Sequence, residues 1–274
     1  MVRDFTQSEV QSLCELLGVS DLRDPNAAGV KSAPLIEDVR RVLKLPVLPH
    51  SHLLDEQTWM IGGRVLRWLG GEMTTSVDDG DYDLFSGSFP AMERTLNRML
   101  ESGYSITRLQ YMNPWPGIPV PRMLRRKPSP VRKPPRNASV PDLPGLLLRT
   151  MPDGRDMYCM RLTSPERHVI QFMYIPSLFP DGARPDTLIE QTDLSICQFT
   201  LDGAYLRAGP HSWSDFVRHR LRVVHMRSGR RTAGRLFKYA ARGFWPDART
   251  VQTVYGRWLS EALKRGGNPA RFKA

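Results

Sequence analysis

The chain of 274 residues carries 39 Lys and Arg against 28 Asp and Glu, a formal net charge of +11. With 41% hydrophobic residues it can build a sizeable core, which excludes global disorder, and no apolar run approaches the roughly 18–20 residues of a membrane span, so no membrane partner is expected. Cys14, Cys159 and Cys197 are scattered, with no disulfide or zinc spacing, and Met1–Phe5 offers no apolar leader, so a cytoplasmic setting is expected, with a polyanion (RNA, DNA or nucleotide) as the partner the basic balance favours over mere solubility.

Residues 6–17 place Val10, Leu13, Leu16 and Leu17 on one helical face, and Thr6 with Glu9 forms a capping-box pattern. Ile36–Leu45 reads as a second helix, and Pro46, Pro49 and His50 mark a loop. Trp59-Met60-Ile61 is a short strand that runs into Gly62-Gly63, and Arg64–Leu69 is a helix stopped at Gly70-Gly71. Bare backbone amides where a Gly-Gly turn opens a helix can hold a phosphate. Arg64 and Arg67, one turn apart beside that cradle, are candidates to bind a triphosphate.

The next strand, Tyr82–Phe85, follows a dense acidic run of Asp78, Asp79, Asp81 and Asp83. Side chains alternate along a strand, so Asp81 and Asp83 share a face, about 7 Å apart, while Tyr82 and Leu84 face the core. Like charges this close repel, and a divalent cation would relieve them. An EF-hand loop would need Gly at 84 and Glu at 90, where this chain has Leu84 and Pro90. A cradle and a two-carboxylate clamp in one short unit point to metal-assisted phosphoryl or nucleotidyl transfer.

Pro90–Glu101 is the next helix and Tyr104–Met112 the next strand; this alternation indicates an α/β or α+β domain. Residues 113–145 are rich in Pro and Arg and read as an extended insertion, a basic arm or a solvated loop. Asp156–Leu162 and His168–Ile175 form a hairpin across Thr163–Glu166. Asp193–Leu201 reads as one strand pairing beside Asp81, which makes Asp193 the candidate third carboxylate, and Asp202-Gly203 a turn. Ser214–His225, Thr232–Arg242 and Asp247–Lys264 read as helices with Ser214 and Thr232 as N-caps. Arg235, Lys238 and Arg242 share one face. His168, His211, His219 and His225 show no metal spacing, and Trp59 and Trp68 read as core. The division expected is a helical segment at 1–50, a domain at 51–210 holding the insertion, and a helical region at 211–274.

Gly62-Gly63-Arg64-Val65, Leu69, Gly71 and Asp81-Tyr82-Asp83-Leu84-Phe85 resemble the nucleotidyltransferase superfamily of DNA polymerase beta type. They come nearest the head domain of CCA-adding enzymes and poly(A) polymerases, and related phage-encoded proteins. Asp193-Leu194-Ser195-Ile196 is similar to that branch's later nucleotide-contacting motif, and Arg235–Phe244 to its helix beyond the head. Leu66 and Arg67 stand where the branch carries Arg and Asp, and Thr192 and Cys197 where it carries Arg and Asn. The resemblance implies an α+β fold, a mixed β-sheet flanked by helices with a helical C-terminal part. It also implies transfer of a nucleoside monophosphate from an NTP such as ATP to an acceptor, an RNA end, with release of pyrophosphate. Asp81, Asp83 and Asp193 would be the catalytic residues and the ligands of Mg²⁺ or Mn²⁺, and Gly62, Gly63, Arg64 and Arg67 the nucleotide-binding ones. The alternatives are toxin-like transfer to protein or a small molecule, and a non-catalytic binding or structural module.

Overall fold

The computed structural model describes residues 3–24, 33–72, 80–108, 148–150, 156–175, 178, 184–226 and 228–264. The insertion expected at 113–145 lies outside the described residues, as do Asp78 and Asp79.

The N-terminal helix α1 (Gln7–Leu17) starts where its capping box places it. Thr6 Oγ1 accepts from the Glu9 amide at 3.2 Å, and Glu9 Oε2 accepts from the Thr6 amide at 3.0 Å. Its buried face is Val10, Leu13, Cys14 and Leu17. Helix α2 (Ile36–Leu43) adds Val39 and Leu43 to the same core. Then come β1 (Thr58–Ile61), α3 (Gly63–Leu69), β2 (Tyr82–Ser86), α4 (Phe89–Glu101), β3 (Ser105–Arg108), β4 (Leu148–Thr150), β5 (Asp156–Thr163) and β6 (Val169–Tyr174). The remaining elements are α5 (Pro185–Glu190), β7 (Phe199–Leu201), β8 (Leu206–Ala208), α6 (Ser212–Val217), β9 (Arg220–Leu221), α7 (Gly229–Ala240), β10 (Trp245–Pro246) and α8 (Ala248–Lys264).

Eight strands form one mixed sheet in the order β3-β5-β6-β2-β1-β7-β8, with β4 also on β5. Strand β2 pairs parallel to β6 and antiparallel to β1, so Asp83 sits between Ile61 and Gln171. The hairpin of β5 and β6 forms as expected, with Arg161 opposite Gln171 and Thr163 opposite Val169. This α+β arrangement agrees with the fold class that the motifs imply. Among the described residues no helix is long and apolar enough to cross a membrane.

Alternation along the central strands sorts their side chains onto two faces. Met60, Tyr82, Leu84 and Phe172 pack with Val65, Leu66, Trp68 and Leu69 of α3 and with Met92 and Leu96 of α4. On the other face Trp59, Ile61, Cys159, Met173 and Leu188 form a smaller cluster, with Phe85 against it. Asp81, Asp83 and Phe85 have the same parity, so both aspartates belong to this second, thinly covered face.

Two expectations in the C-terminal half are corrected. Asp193–Leu201 is not one strand beside β2. Ser195–Cys197 forms a 3-10 turn and only Phe199–Leu201 is strand, paired with β1 and β8. Leu194, Ile196 and Cys197 are all fully buried, which a single alternating strand facing two environments does not require. Ser195 Oγ, also buried, donates to Asp215 Oδ2 at 2.6 Å and ties the turn to α6. Likewise Ser214–His225 is not a helix throughout: α6 ends at Val217, His219 takes φ +52, and Arg220-Leu221 pair parallel to Trp245-Pro246. The caps differ too. Ser228 caps α7 by accepting from the Arg231 amide, while Thr232 lies inside that helix and Ser214 inside α6.

Candidate active site

Strand β1 ends at Ile61, and Gly62 turns the chain into α3 with φ +94 and ψ −148, a conformation open in practice only to glycine. Space there is tight as well, because a Cβ on Gly62 would stand 3.2 Å from Asp83 Oδ2. A Cβ on Gly63 would stand 3.3 Å from the Tyr239 hydroxyl. The Gly-Gly pair therefore lets the β1–α3 turn press against Asp83 on one side and α7 on the other.

Asp83 opens onto a cavity of about 280 Å³. Ile61 and Gly62 line it from the turn, Gln171 and Met173 from β6, Asp193 from the segment before the 3-10 turn, and Arg231, Thr232 and Arg235 from α7. The Asp83 carboxyl is pushed up to about 6, first by burial and then by the charge of Asp81, against the opposing pull of Arg235, Lys238 and Arg231. Asp81 lies just before β2, where its Oδ1 accepts from Arg161 Nη2 at 3.0 Å.

The structure places Asp193 on the cavity of Asp83, although not by the strand pairing expected for it. Its carboxylate is buried and engaged: Oδ1 lies 2.5 Å from Arg235 Nη1, and Oδ2 accepts from Thr232 Oγ1 at 3.2 Å. Asp193 thus holds the Arg235 guanidinium at the lining of the cavity that Asp83 shares. Arg235, Lys238 and Arg242 surround the Tyr239 ring, their charged ends 5.9, 5.8 and 5.4 Å from its centroid. Burial pushes the Tyr239 hydroxyl above its ordinary range, so it stays protonated.

Arg64 and Arg67 stand elsewhere. Arg64 is buried on the opposite face of β2, its guanidinium 4.4 Å over the Tyr82 ring and donating to the Gly80 carbonyl at 3.0 and 2.6 Å. It anchors the entry to β2 just before Asp81. Arg67 lies 3.8 Å from Glu72 across the end of α3. Neither lines the cavity; the cations that do are Arg231 and Arg235. Sequence reasoning missed Arg161 as the partner of Asp81. The available signal was parity: in a hairpin strand, Arg161 shares a face with Cys159 and Thr163, and a lone arginine there asks for a carboxylate.

Carboxylates two apart on one strand are a donor set for a hard divalent cation, and the cost of holding Asp83 ionised is the cost such a cation relieves. Asp83 and Asp81 thus offer the hard oxygens that Mg²⁺ or Mn²⁺ takes, although among the described residues Asp81, Asp83 and Asp193 do not form a three-ligand cluster.

No protein-family model matches this chain, and no curated protein is similar to it in sequence. Similar solved structures do exist. A tRNA nucleotidyltransferase complexed with a primer tRNA and an incoming ATP analog superposes with a TM-score of 0.45 at 13% identity, over 76% of this chain and 48% of that one. A tRNA-processing enzyme complex gives 0.44 at 11% identity, over 84% and 47%. A CCA-adding enzyme with CTP gives 0.43 at 13%, over 79% and 42%. The chain spans less than half the length of each.

Proposed function

We propose that this protein is a metal-dependent nucleotidyltransferase that moves a nucleoside monophosphate from an NTP to the hydroxyl end of an RNA and releases pyrophosphate. The observation that carries the reading is Asp83, desolvated beside Asp81 and facing a cavity whose far wall is the cationic face of α7. In the reaction the acceptor oxygen bonds to the α-phosphorus, the bond from that phosphorus to the β-bridging oxygen breaks, and the hydroxyl proton leaves to solvent or a base.

Each residue group has a part in this chemistry. Asp81 and Asp83 would hold Mg²⁺ or Mn²⁺, which when bound lowers the pKa of an attacking hydroxyl and neutralises phosphate charge. Arg231 and Arg235 would receive the triphosphate, with Lys238 behind them. Asp193 keeps Arg235 oriented; to serve as a third metal ligand it would first have to release that guanidinium. Gly62 and Gly63 let the β1–α3 turn close against Asp83 and Tyr239, which holds the opening of α3 beside the carboxylate. Arg161 offsets Asp81 when no cation is present. The net charge of +11 supports a polyanionic acceptor.

The test is thermal stability with NTP, with and without Mg²⁺. An NTP at 100 times its Kd should add about 2.7 kcal/mol, only with the metal, and Asp83→Asn should abolish the gain. Equal stability in all four conditions would remove the reading. Arg64 and Arg67 turn away from the cavity, which favours the non-catalytic module as second reading; that protein would show no metal-dependent gain.

A further inference from the structure

On the face of β2 opposite Asp83, His50 converges with two residues of a turn more than a hundred positions further on. His50 ends the loop after α2, and Glu166 and His168 belong to the turn between β5 and β6. One donor atom from each lies within 4.8 Å of the other two. His50 Nε2 and His168 Nδ1 are 3.0 Å apart, and both residues are about 95% buried. Glu166 is exposed, so the cluster has two buried nitrogens and a carboxylate at its mouth.

We propose that His50, His168 and Glu166 form a second metal site, taking one borderline-soft divalent ion of the zinc class. Three observations support it. First, two imidazoles and a carboxylate are a ligand set such ions take at about 2.0–2.2 Å, leaving a fourth position for water on the open side. Tetrahedral ligation sets two nitrogens about 3.3 Å apart, so the observed 3.0 Å needs only a small opening of the pair. Second, a metal-binding histidine has its other ring nitrogen held by a hydrogen-bond partner, which fixes tautomer and orientation. His50 Nδ1 has that partner in the Tyr104 hydroxyl at 2.7 Å, and the Tyr82 ring meets the His50 ring edge-to-face at 4.7 Å. Nε2 is thereby the nitrogen turned to His168. Third, both ligand-bearing turns are built at backbone cost. His50 itself has φ +65, and Arg167, between Glu166 and His168, has φ +68. Ser164 closes the second turn by accepting from the His168 amide at 3.1 Å.

Bound there, the ion joins the α2–β1 loop to the β5–β6 turn behind Tyr82, whose neighbour Asp83 faces the cavity. The site is independent of the nucleotidyl-transfer reading, since no residue is shared between them.

The experiment is a Zn²⁺ titration of the chelator-treated full-length protein by competition with a metal indicator, together with the absorption spectrum of the Co²⁺-loaded protein. One equivalent should bind with a tetrahedral Co²⁺ spectrum. The exposed-site variant Glu166→Gln should weaken Zn²⁺ at least tenfold, and His168→Asn should remove the spectrum. Asp83→Asn should leave both unchanged. Cys14, Cys159 and Cys197 are buried, so they do not compete. Absence of stoichiometric Zn²⁺ binding, or binding that survives Glu166→Gln and His168→Asn at full affinity, would overturn the site and leave a hydrogen-bonded histidine pair.

Discussion

Asp83 carries a free-energy conflict that can be read from its titration. Its folded pKa of about 6 lies above its ordinary value of 3.8, so between these values the native state binds more protons than the unfolded one. This group therefore favours the fold below pH 4, and its contribution is lost as pH rises through 6. Two pKa units correspond to about 3 kcal/mol, nearer 2 after allowing for partial exposure. His50 runs the other way: burial, with help from His168, lowers it from 6.5 to about 4, so its contribution is present above pH 6.5 and is lost on acidification. The two windows overlap and nearly cancel. Urea unfolding without metal should then show Asp83→Asn gaining on the parent protein by about 2 kcal/mol between pH 4 and 6.5. An unchanged difference across that range would contradict the burial of Asp83. At Gly62, substitution by Ala meets both positive φ and the 3.2 Å approach to Asp83, so it should cost about 1–3 kcal/mol and impair metal binding together. At this scale Gly62, Asp81 and Asp83 were legible because glycine geometry and strand parity are local properties. Arg64 was not: its spacing on α3 fitted a phosphate ligand, but Tyr82 and the Gly80 carbonyl draw it to the other face.

Helix α7 shows what elements add. Spacing alone puts Arg235, Lys238 and Arg242 on one face; the packing decides that Arg235 pairs with Asp193 and that Thr232, which reads as a cap, donates to the same carboxylate. Arg235→Ala leaves Asp193 buried with one partner, so it should destabilise by about 2–4 kcal/mol in thermal or urea unfolding. Asp193→Asn, which keeps an acceptor for Thr232, should cost less; the reverse order would break this account of the pair. Ser228→Ala should cost about 1 kcal/mol by removing the cap, whereas Thr232→Ala should act through Asp193. The strand expected over 193–201 fails for an element-level reason. Its apolar residues are buried on every side, packed by α3, α6 and β9, and a run buried on every side carries no period to distinguish strand from turn.

For the whole molecule, the order of elements from β1 to β3, and the β5–β6 hairpin, could be read from the chain, since each is local and closed by Gly, Pro or a cap, whereas the short β4 was not anticipated. The pairing could not. The parallel contact of β2 with β6 and the seating of β7 beside β1 join residues more than eighty positions apart, and those contacts, with the hairpin, bring Asp193, Asp83 and Arg161 to one face. The net charge of +11 belongs to this scale as well. If the acceptor is RNA, log affinity should fall linearly with log salt, by about 0.7 per phosphate neutralised on a single strand. A salt-independent interaction would rule out a backbone-tracking surface.

The claim that joins these scales is that the Asp83 cavity transfers a nucleotide, and the most direct measurement follows the phosphates. The protein is given NTP labelled at the α- or at the γ-phosphate, with Mg²⁺ or Mn²⁺, a mixed small-RNA pool and total protein, beside Asp81→Ala/Asp83→Ala. The account predicts α-label on RNA, none from γ-label, and loss of transfer in the double variant. Transfer of γ-label, α-label on protein alone, or transfer undiminished in the double variant would contradict it.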